Sequence, residues 1–416
     1  MRRRIFVISC ALCFIAGLAT AILSQDFFAS NALGRTTSVI SVISSNELRA
    51  ANHNLKPWGD LDSLEIPFAE SENLFPDREI RLRPPHWFFQ NLSRSQVQKL
   101  FESASLGSDE KAQLLNDSIC QSVSNGCFVA PPLPIVKSLS SSSRRIIYET
   151  LAKSTNNYAQ CFPFRFTFGG FSSRFERSGL PPEKIGLLRE LTYTNDGTIC
   201  FADIELLPEI LSQSEFSQAI EGFYRYPAYR LRLRVYPDSD INALVKYWGK
   251  GVMEKRVRPL LESLAKVQRE NGTSMNISAF FPPFARSRLF TFPSSWSEPE
   301  ASREDCIWSC MNFFNEQPDM RLLDSSHSRE ILLKEFAMIH DQPTYGDLVC
   351  LMNERGDLIH MCVYLADNFV FTKNGINQLQ PWVIMKMQDM LLFFPSEKQH
   401  QFAVLRRKEV ESTSLR

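Results

Sequence analysis

Two residues in the C-terminal third have the types and order of a nucleophile and its base. Cys306 follows Asp305 and precedes an apolar run, and Ser302 with Asp305 has the spacing of a capping box, which predicts a helix start. The Cys306 thiol would lie in the first turn, where the positive end of a helix favours a thiolate. His360 follows on a predicted antiparallel strand, so the order is that of a nucleophile and a general base.

A three-stranded meander is predicted to position the histidine. Strand alternation places His360 on one face together with Cys362 and Tyr364. On the next strand, Thr372 and Asn374 share a face. The predicted strands are Tyr345–Leu351, Leu358–Leu365 and Phe369–Gly375, and Gln401–Arg407 is predicted to close a small barrel.

These motifs resemble those of the NlpC-type papain-like cysteine peptidases, over about residues 275–410. The resemblance rests on Asp305-Cys306 opening a helix, Gly346-Asp347-Leu348 opening a strand, and His360 followed by Val363-Tyr364-Leu365. Members of that family hydrolyse amide bonds in bacterial cell-wall stem peptides. The resemblance implies that Cys306 is the nucleophile and that His360 is the base, which later protonates the leaving group. It also implies an oxyanion hole containing the Cys306 N–H and no metal or organic cofactor.

The third catalytic position departs from the family pattern. The family places His, Asn or Gln on the strand after the catalytic histidine, where this chain has Phe371 or Thr372. We predict that Asn374 orients the imidazole, because its amide oxygen can accept the ring N–H, and Thr372 is the alternative. A tyrosine that the family often supplies upstream of the cysteine is missing here. A degenerate or acyl-transferring descendant is therefore an alternative to an active hydrolase.

Composition restricts the classes of partner and site. The 416 residues carry 46 basic and 46 acidic side chains, which argues against the concentrated basic surface of a nucleic-acid-binding protein. Six histidines and the lack of a C-x-x-C repeat argue against a zinc site. Cys120 and Cys127 are the most plausible local disulfide pair in an exported chain.

The first 25 residues are predicted to be a targeting segment. Arg2, Arg3 and Arg4 precede the uncharged run Ile5–Leu23, the pattern of a secretory signal peptide or an uncleaved membrane anchor. The arginines would leave the rest of the chain outside the cytoplasm. We therefore expect an exported protein of the periplasm or cell envelope, which contacts the membrane through this segment if it is not cleaved.

The expected fold class is α+β. We predict a targeting segment (1–25), a linker (26–60), a mainly helical region (61–150), a mixed α+β region (151–272) and a papain-like module (273–410) whose cysteine helix packs on a small antiparallel sheet or barrel. The predicted helices outside that module are Ser95–Ser103, Ser141–Leu151 and residues 241–270. The remaining predicted strands are Phe162–Phe168, Thr198–Leu207, Arg230–Tyr236, Met275–Phe281 and Leu289–Phe292.

The functional hypothesis is an extracytoplasmic cysteine hydrolase that cleaves amide bonds, with peptidoglycan stem peptides as the first candidate substrate and other peptide amides as the wider class. Two alternatives stay open. One is a non-catalytic envelope-binding or scaffold protein with a degenerate papain-like domain. The other is an acyltransferase on the same scaffold.

Overall fold

A computed structural model describes most of the chain after residue 55. The described residues are 56–68, 85–166, 170–175, 178–195, 197–250, 253–267, 269, 271–293, 304–353, 355–375, 380–394 and 400–408. They divide into two compact units: unit 1 is formed by the described residues of Ala69–Tyr226, and unit 2 by residues 56–68 together with the described residues of Pro227–Arg416. The strand β1 (Asp60–Phe68) belongs to unit 2, so unit 1 is inserted into unit 2 along the chain.

Unit 1 is mainly helical and carries two small antiparallel sheets, ordered β2-β4-β3 and β5-β7-β6. Its strands are β2 (Trp87–Gln90), β3 (Cys120–Val123), β4 (Gly126–Val129), β5 (Phe164–Phe166), β6 (Tyr193–Asn195) and β7 (Thr198–Phe201). Its helices are α1 (Arg94–Ser103), α2 (Ser108–Leu114), α3 (Leu133–Ser138), α4 (Ser141–Leu151), α5 (Tyr158–Cys161), α6 (Gly170–Phe175), α7 (Pro182–Glu190), α8 (Leu207–Ile210) and α9 (Gln213–Phe223).

A buried ion pair lies in the core of unit 1. The Arg144 guanidinium on α4 donates to Asp203 at 2.7 Å, and both side chains are almost fully buried. Arg144 also donates to the backbone oxygens of Leu139 and Val136, and the Tyr148 hydroxyl donates to Asp203. The charged groups are therefore hydrogen-bonded as well as paired, as burial of an ion pair requires.

Unit 2 contains a three-stranded sheet with helices beside it. The order is β1-β8-β9, with β8 at Tyr226–Val235 and β9 at Thr273–Asn276. Leu231, Leu233 and Val235 are buried and alternate with arginines, which confirms the half-buried strand predicted there. The helices that follow β8 are α10 (Ile241–Trp248) and α11 (Glu254–Ala265), and α12 (Pro283–Arg288) follows β9.

The second sheet of unit 2 has six strands in the order β10-β15-β11-β12-β13-β14, and every pair of neighbours is antiparallel. The strands are β10 (Phe336–Ile339), β11 (Leu348–Met352), β12 (Leu358–Ala366), β13 (Phe369–Lys373), β14 (Trp382–Lys386) and β15 (Gln401–Arg407). The helices of this part are α13 (Cys306–Met311), α14 (Ser325–Glu335) and α15 (Met387–Leu391).

The two faces of this sheet contact different sets of side chains. One face, here called the helix face, includes Met361, Val363 and Phe371 and packs in the same core as α13. The other, here called the far face, includes Cys362, Tyr364, Val370 and Met385, together with Met390 of α15. Both faces are apolar, so the central strands β11, β12 and β13 are almost entirely buried.

The α+β class and the three-stranded meander are confirmed by the structure. Two differences have clear causes. The helix predicted over residues 241–270 is two helices, because α10 ends at Trp248 with Gly249 as its cap and α11 then packs against it. The strand predicted from Thr198 ends at Phe201, because Asp203 is drawn into the buried ion pair and a 3₁₀ turn follows at Ile204–Leu206.

Two further predicted strands are shorter in the structure. The Asn276 side chain accepts from the Ser278 N–H and starts a 3₁₀ turn at Ile277–Phe280, so β9 ends at Asn276. Around Leu289–Phe292, α12 ends at Arg288 and only Thr291 bridges to Trp382.

The described units are divided differently from the predicted domains. The predicted boundary after residue 150 falls inside α4, and the one after residue 272 falls immediately before β9, which pairs with β8. One hydrophobic core extends from Trp87 to Phe223 and another from Trp58 to Leu405, so neither boundary separates two cores. The predicted targeting segment and nearly all of the linker lie outside the described residues. Among the residues that are described, no helix is both long and apolar enough to cross a membrane.

Oxidation is expected to join Cys120 and Cys127. Their sulfur atoms lie 3.1 Å apart on the paired strands β3 and β4, and both side chains are buried. An oxidant such as oxidised glutathione would remove two hydrogens and close a short loop, which should raise the free energy of unfolding by roughly 2 kcal/mol. The measurement is intact mass plus urea unfolding of oxidised and reduced protein, with Cys120→Ser as the control. Equal stability of the oxidised and reduced forms would contradict this expectation.

Candidate functional site

The helix that carries the predicted nucleophile begins at Cys306. Asp305 is its N-cap, and the carboxylate accepts from the Trp308 N–H at 2.7 Å. The predicted capping partner Ser302 lies outside the described residues. All six residues of α13 are buried, and its Ser309 hydroxyl accepts from the Trp382 indole N–H at 2.8 Å. The helix is therefore fixed to strand β14.

The Cys306 helix fills a gap in the backbone ladder between β12 and β13. Tyr364 exchanges backbone hydrogen bonds with the β11 side, so alternation turns the N–H and C=O of Met361 towards β13. The described pairing of β12 with β13 ends at Val363↔Phe371, before Met361. Instead, the Cys310 thiol donates to the Met361 carbonyl at 3.2 Å, and the Met361 N–H stabilises a thiolate at Cys306.

His360 precedes Met361 and lies on the far face of the sheet. It is 1% exposed, and its ring stacks on Phe394 at 4.3 Å between centroids. Its Nε2 atom is 2.9 Å from the Thr372 hydroxyl, whose proton is donated to the Asn374 amide oxygen at 3.0 Å. The hydroxyl must then accept from Nε2–H, so Nδ1 is the unprotonated ring nitrogen. Nδ1 is buried and has no hydrogen-bond partner in the part of the chain that the structure describes.

The structure thus brings three of the four predicted site residues into one hydrogen-bonded row. Thr372, the alternative orienter, contacts the imidazole directly, and Asn374 lies behind it. Cys306 is not hydrogen-bonded to His360: it belongs to the core on the helix face, whereas His360 is on the far face. The two side chains approach the same gap in the β12–β13 ladder from opposite sides.

Burial keeps both candidate catalytic groups neutral in this structure. It raises the pKa of the Cys306 thiol to about 12, and the nearby Asp305 carboxylate adds to the rise. Burial and the nearby Lys373 charge lower the pKa of His360 to about 3. The sequence predicted that the helix start would favour a thiolate, but α13 has only six residues and desolvation of the thiol outweighs it.

Lys373 is a site residue that the sequence analysis did not identify. It ends β13, is 0% exposed and lies on the Phe371 side of that strand, towards the Cys306 core. Its charge acts on both Cys306 and His360. The sequence did contain a signal for it: Lys373 is two residues from Phe371 in a predicted strand, so the two share a face. Lysine is almost never fully buried unless it has a partner.

The Gly-Asp motif before β11 has a structural role. Gly346 has a φ of 87°, and a Cβ added there would lie 2.3 Å from the Phe314 ring. The buried Asp347 carboxylate pairs with Arg406 of β15 at 2.7 Å and with Lys250 at 3.5 Å. The motif therefore joins β11 to β15. Within the described ranges, no group of His, Cys, Asp and Glu side chains is placed to hold a metal ion.

In comparisons with known proteins, no family model, curated protein or solved structure matches this chain.

Replacing Thr372 with Val should destabilise the fold. The substitution leaves the His360 Nε2–H buried without an acceptor, which costs about 1–3 kcal/mol of unfolding free energy. Thr372→Ser keeps the hydroxyl and is the matched control. Urea unfolding monitored by tryptophan fluorescence measures the difference. If the Val variant is as stable as the Ser variant, the His360–Thr372 hydrogen bond is not formed in solution.

The stability of the protein should fall in acid because of His360. The unfolded chain takes up a proton near the ordinary histidine pKa of 6.5, whereas the folded protein resists it until about 3. This contribution to stability is complete above pH 6.5 and is lost as the pH drops, by at most about 1.4 kcal/mol per pH unit. We expect His360→Gln to have a smaller acid dependence than the wild type between pH 6.5 and 4. Parallel curves for the two proteins would show that His360 is not buried in the neutral form.

Proposed function

We propose that unit 2 is a papain-like thiol hydrolase that cleaves peptide amide bonds, with Cys306 as nucleophile and His360 as general base. The observation that carries the proposal is the hydrogen-bonded row of His360, Thr372 and Asn374. Thr372 and Asn374 fix the proton on Nε2, which leaves Nδ1 buried, unprotonated and without a hydrogen-bond partner among the described residues. A buried polar atom without a partner is uncommon, and a base that awaits a proton is one reason for it.

The position of the thiol supports the same assignment. The Met361 N–H that acts on Cys306 belongs to the peptide immediately after His360. The gap in the β12–β13 ladder leaves no described strand pair between the thiol and the imidazole. Hydrogen bonds between a catalytic pair are often absent before substrate binds and form only in the complex. We propose that substrate binding brings Cys306 Sγ and His360 Nδ1 together through this gap.

The proposed reaction uses these groups in two steps. The Cys306 proton passes to His360 Nδ1 as sulfur attacks the amide carbonyl carbon, and the carbonyl electron pair moves to oxygen. The intermediate collapses with loss of the amine, which takes the proton from Nδ1 and leaves a thioester on Cys306. Water, deprotonated by His360, then releases the carboxylic acid and the free thiol. Each step conserves its protons without a cofactor.

The substrate class follows from the resemblance to the NlpC-type enzymes, so stem peptides of peptidoglycan are the first substrates to test. Such a substrate requires that the protein be exported. We propose that the arginine-led apolar run at Ile5–Leu23 directs this export and either is cleaved or anchors the protein to the membrane.

The test is turnover of purified peptidoglycan and synthetic stem peptides, with products identified by mass. We expect Cys306→Ser to abolish turnover and His360→Gln to lower it roughly 10²–10⁴-fold. Cys310→Ser is the matched control, because Cys310 is buried one helical turn further along α13. It should retain turnover within about tenfold, because a serine hydroxyl can still donate to the Met361 carbonyl and the nucleophile is unchanged.

One observation favours a second candidate, a non-catalytic binding or scaffold protein. Cys306 is only 7% exposed and its pKa is raised to about 12, the properties of a structural cysteine. Folded wild-type protein that turns over no amide, and forms no thioester that hydroxylamine can release, would support this second candidate. Transfer of the acyl group to an added amine in preference to water would instead support an acyltransferase.

A further inference from the structure

Lys373 occupies an unusual position beside the candidate nucleophile. Its ammonium donates to the Gly375 carbonyl at 2.7 Å and lies 5.7 Å from the centre of the Trp382 ring, its cross-strand neighbour on β14. Trp382 in turn donates to Ser309 of α13. The side chain is fully buried, so a positive charge is held inside the core beside the tryptophan that is bonded to the Cys306 helix. The Gly375 carbonyl and the face of the Trp382 ring both favour an ammonium at this place.

The groups that feel this charge are those of the candidate site. The Lys373 ammonium lowers the pKa of Cys306 and of the two carboxyl groups that precede it, Glu304 and Asp305. It also lowers the pKa of His360. One cation therefore favours a negative sulfur and disfavours a positive imidazole.

These opposite effects separate this site from one that stores a thiolate–imidazolium pair. An imidazolium at His360 would be repelled by Lys373 in a buried environment, where charges are weakly screened. A thiolate at Cys306 would be attracted by the same ammonium. A negative charge that develops on the sulfur during attack is therefore favoured without a positive histidine in the resting site.

We propose that Lys373 is a positioning residue that stabilises the negative charge on the Cys306 sulfur, in the role that an imidazolium would otherwise fill. This inference rests on the proposed thiol hydrolase function. His360 then stays neutral until the attack begins. The proton reaches Nδ1 as the carbon–sulfur bond forms, and the proximity of Lys373 makes the resulting imidazolium a strong acid that protonates the leaving amine.

Several other ionisable groups near the site also affect the charge state of the Cys306 sulfur. Arg288 of α12 pairs with Glu304 at 2.7 Å and stacks over Trp382. The ionisable groups that interact electrostatically with Cys306 are Asp305 before α13, Cys310 on it, Cys350 on β11, Cys362 on β12 and Lys373 on β13. Glu304 and His360 interact with the Lys373 charge instead. Among the groups that act on Cys306, Lys373 is the cation, and the carboxylate and thiols all oppose a thiolate.

The test is the alkylation rate of Cys306 by iodoacetamide across pH 5–10, in the full-length reduced protein, read by peptide mass. Lys373→Met removes the charge but keeps the chain length, and Lys373→Arg keeps the charge. We expect the Met variant to react about tenfold or more slowly than the wild type at each pH below the midpoint, because a lost neighbouring charge shifts a pKa by about 1–3 units. The Arg variant should recover most of this loss.

Lys386→Met is the matched control, because Lys386 ends the neighbouring strand β14 and stacks on Tyr229 instead. Its alkylation profile should match the wild type. His360→Gln should also leave the alkylation profile of Cys306 nearly unchanged. If the resting site held a thiolate–imidazolium pair, this variant would instead lose the reactivity of Cys306. If Lys373→Met does not fold, Lys373→Gln replaces it, since an amide can still donate to the Gly375 carbonyl.

Two results would overturn the assignment of Lys373. One is an unchanged alkylation profile in the folded Met or Gln variant, and the other is an Arg variant as slow as the uncharged one. Both are measured without substrate. They are therefore distinct from failure of the proposed function, which is the absence of amide turnover in the wild-type protein.

Discussion

The arrangement of the C-terminal sheet depends on the backbone of a single residue, Met361. In a continuous antiparallel ladder its N–H and C=O would bond to β13, but the described pairing ends at Val363↔Phe371. Instead, the Cys310 thiol donates to the Met361 carbonyl, and the Met361 N–H stabilises a thiolate at Cys306. Buried backbone groups need hydrogen-bond partners, and the two cysteines of α13 supply them where the β12–β13 ladder does not. This contact sets the height of the helix along β12.

The same interruption relates the two candidate catalytic residues. A cysteine on the helix face and a histidine on the far face would ordinarily be separated by a closed row of strand hydrogen bonds. Here the row is open beside Met361, and the far side of the opening is spanned by the His360–Thr372 hydrogen bond. The Thr372–Asn374 contact then determines which ring nitrogen carries the proton. The side chains of the site thus take the place of strand hydrogen bonds between β12 and β13.

Local sequence patterns predicted the strands of this region well and the site only in part. Alternation correctly placed His360 with Cys362 and Tyr364, and Thr372 with Asn374, because side chains in a strand follow a strict period of two. The same period could not show on which face α13 packs, since all residues of β11 and β13 and nearly all of β12 are buried. The neutral state of Cys306 and the role of Lys373 depend on burial by distant segments, which residue spacing does not encode.

The insertion of unit 1 into unit 2 bears on how the chain is assembled during synthesis. β1 is made first, but its neighbour β8 follows only after the whole of unit 1 has been made. The side-chain contacts Asp62–Arg234 and Asp60–Tyr236 show that β1 and β8 run in opposite directions, so Phe68 and Pro227 come out of the sheet side by side. An unfolded insertion would have to close a long loop, at a cost that rises slowly with its length. Unit 1 has its own core, so β1 lacks its sheet neighbour until the whole sequence of that core has been synthesised, and the six-stranded sheet follows last of all.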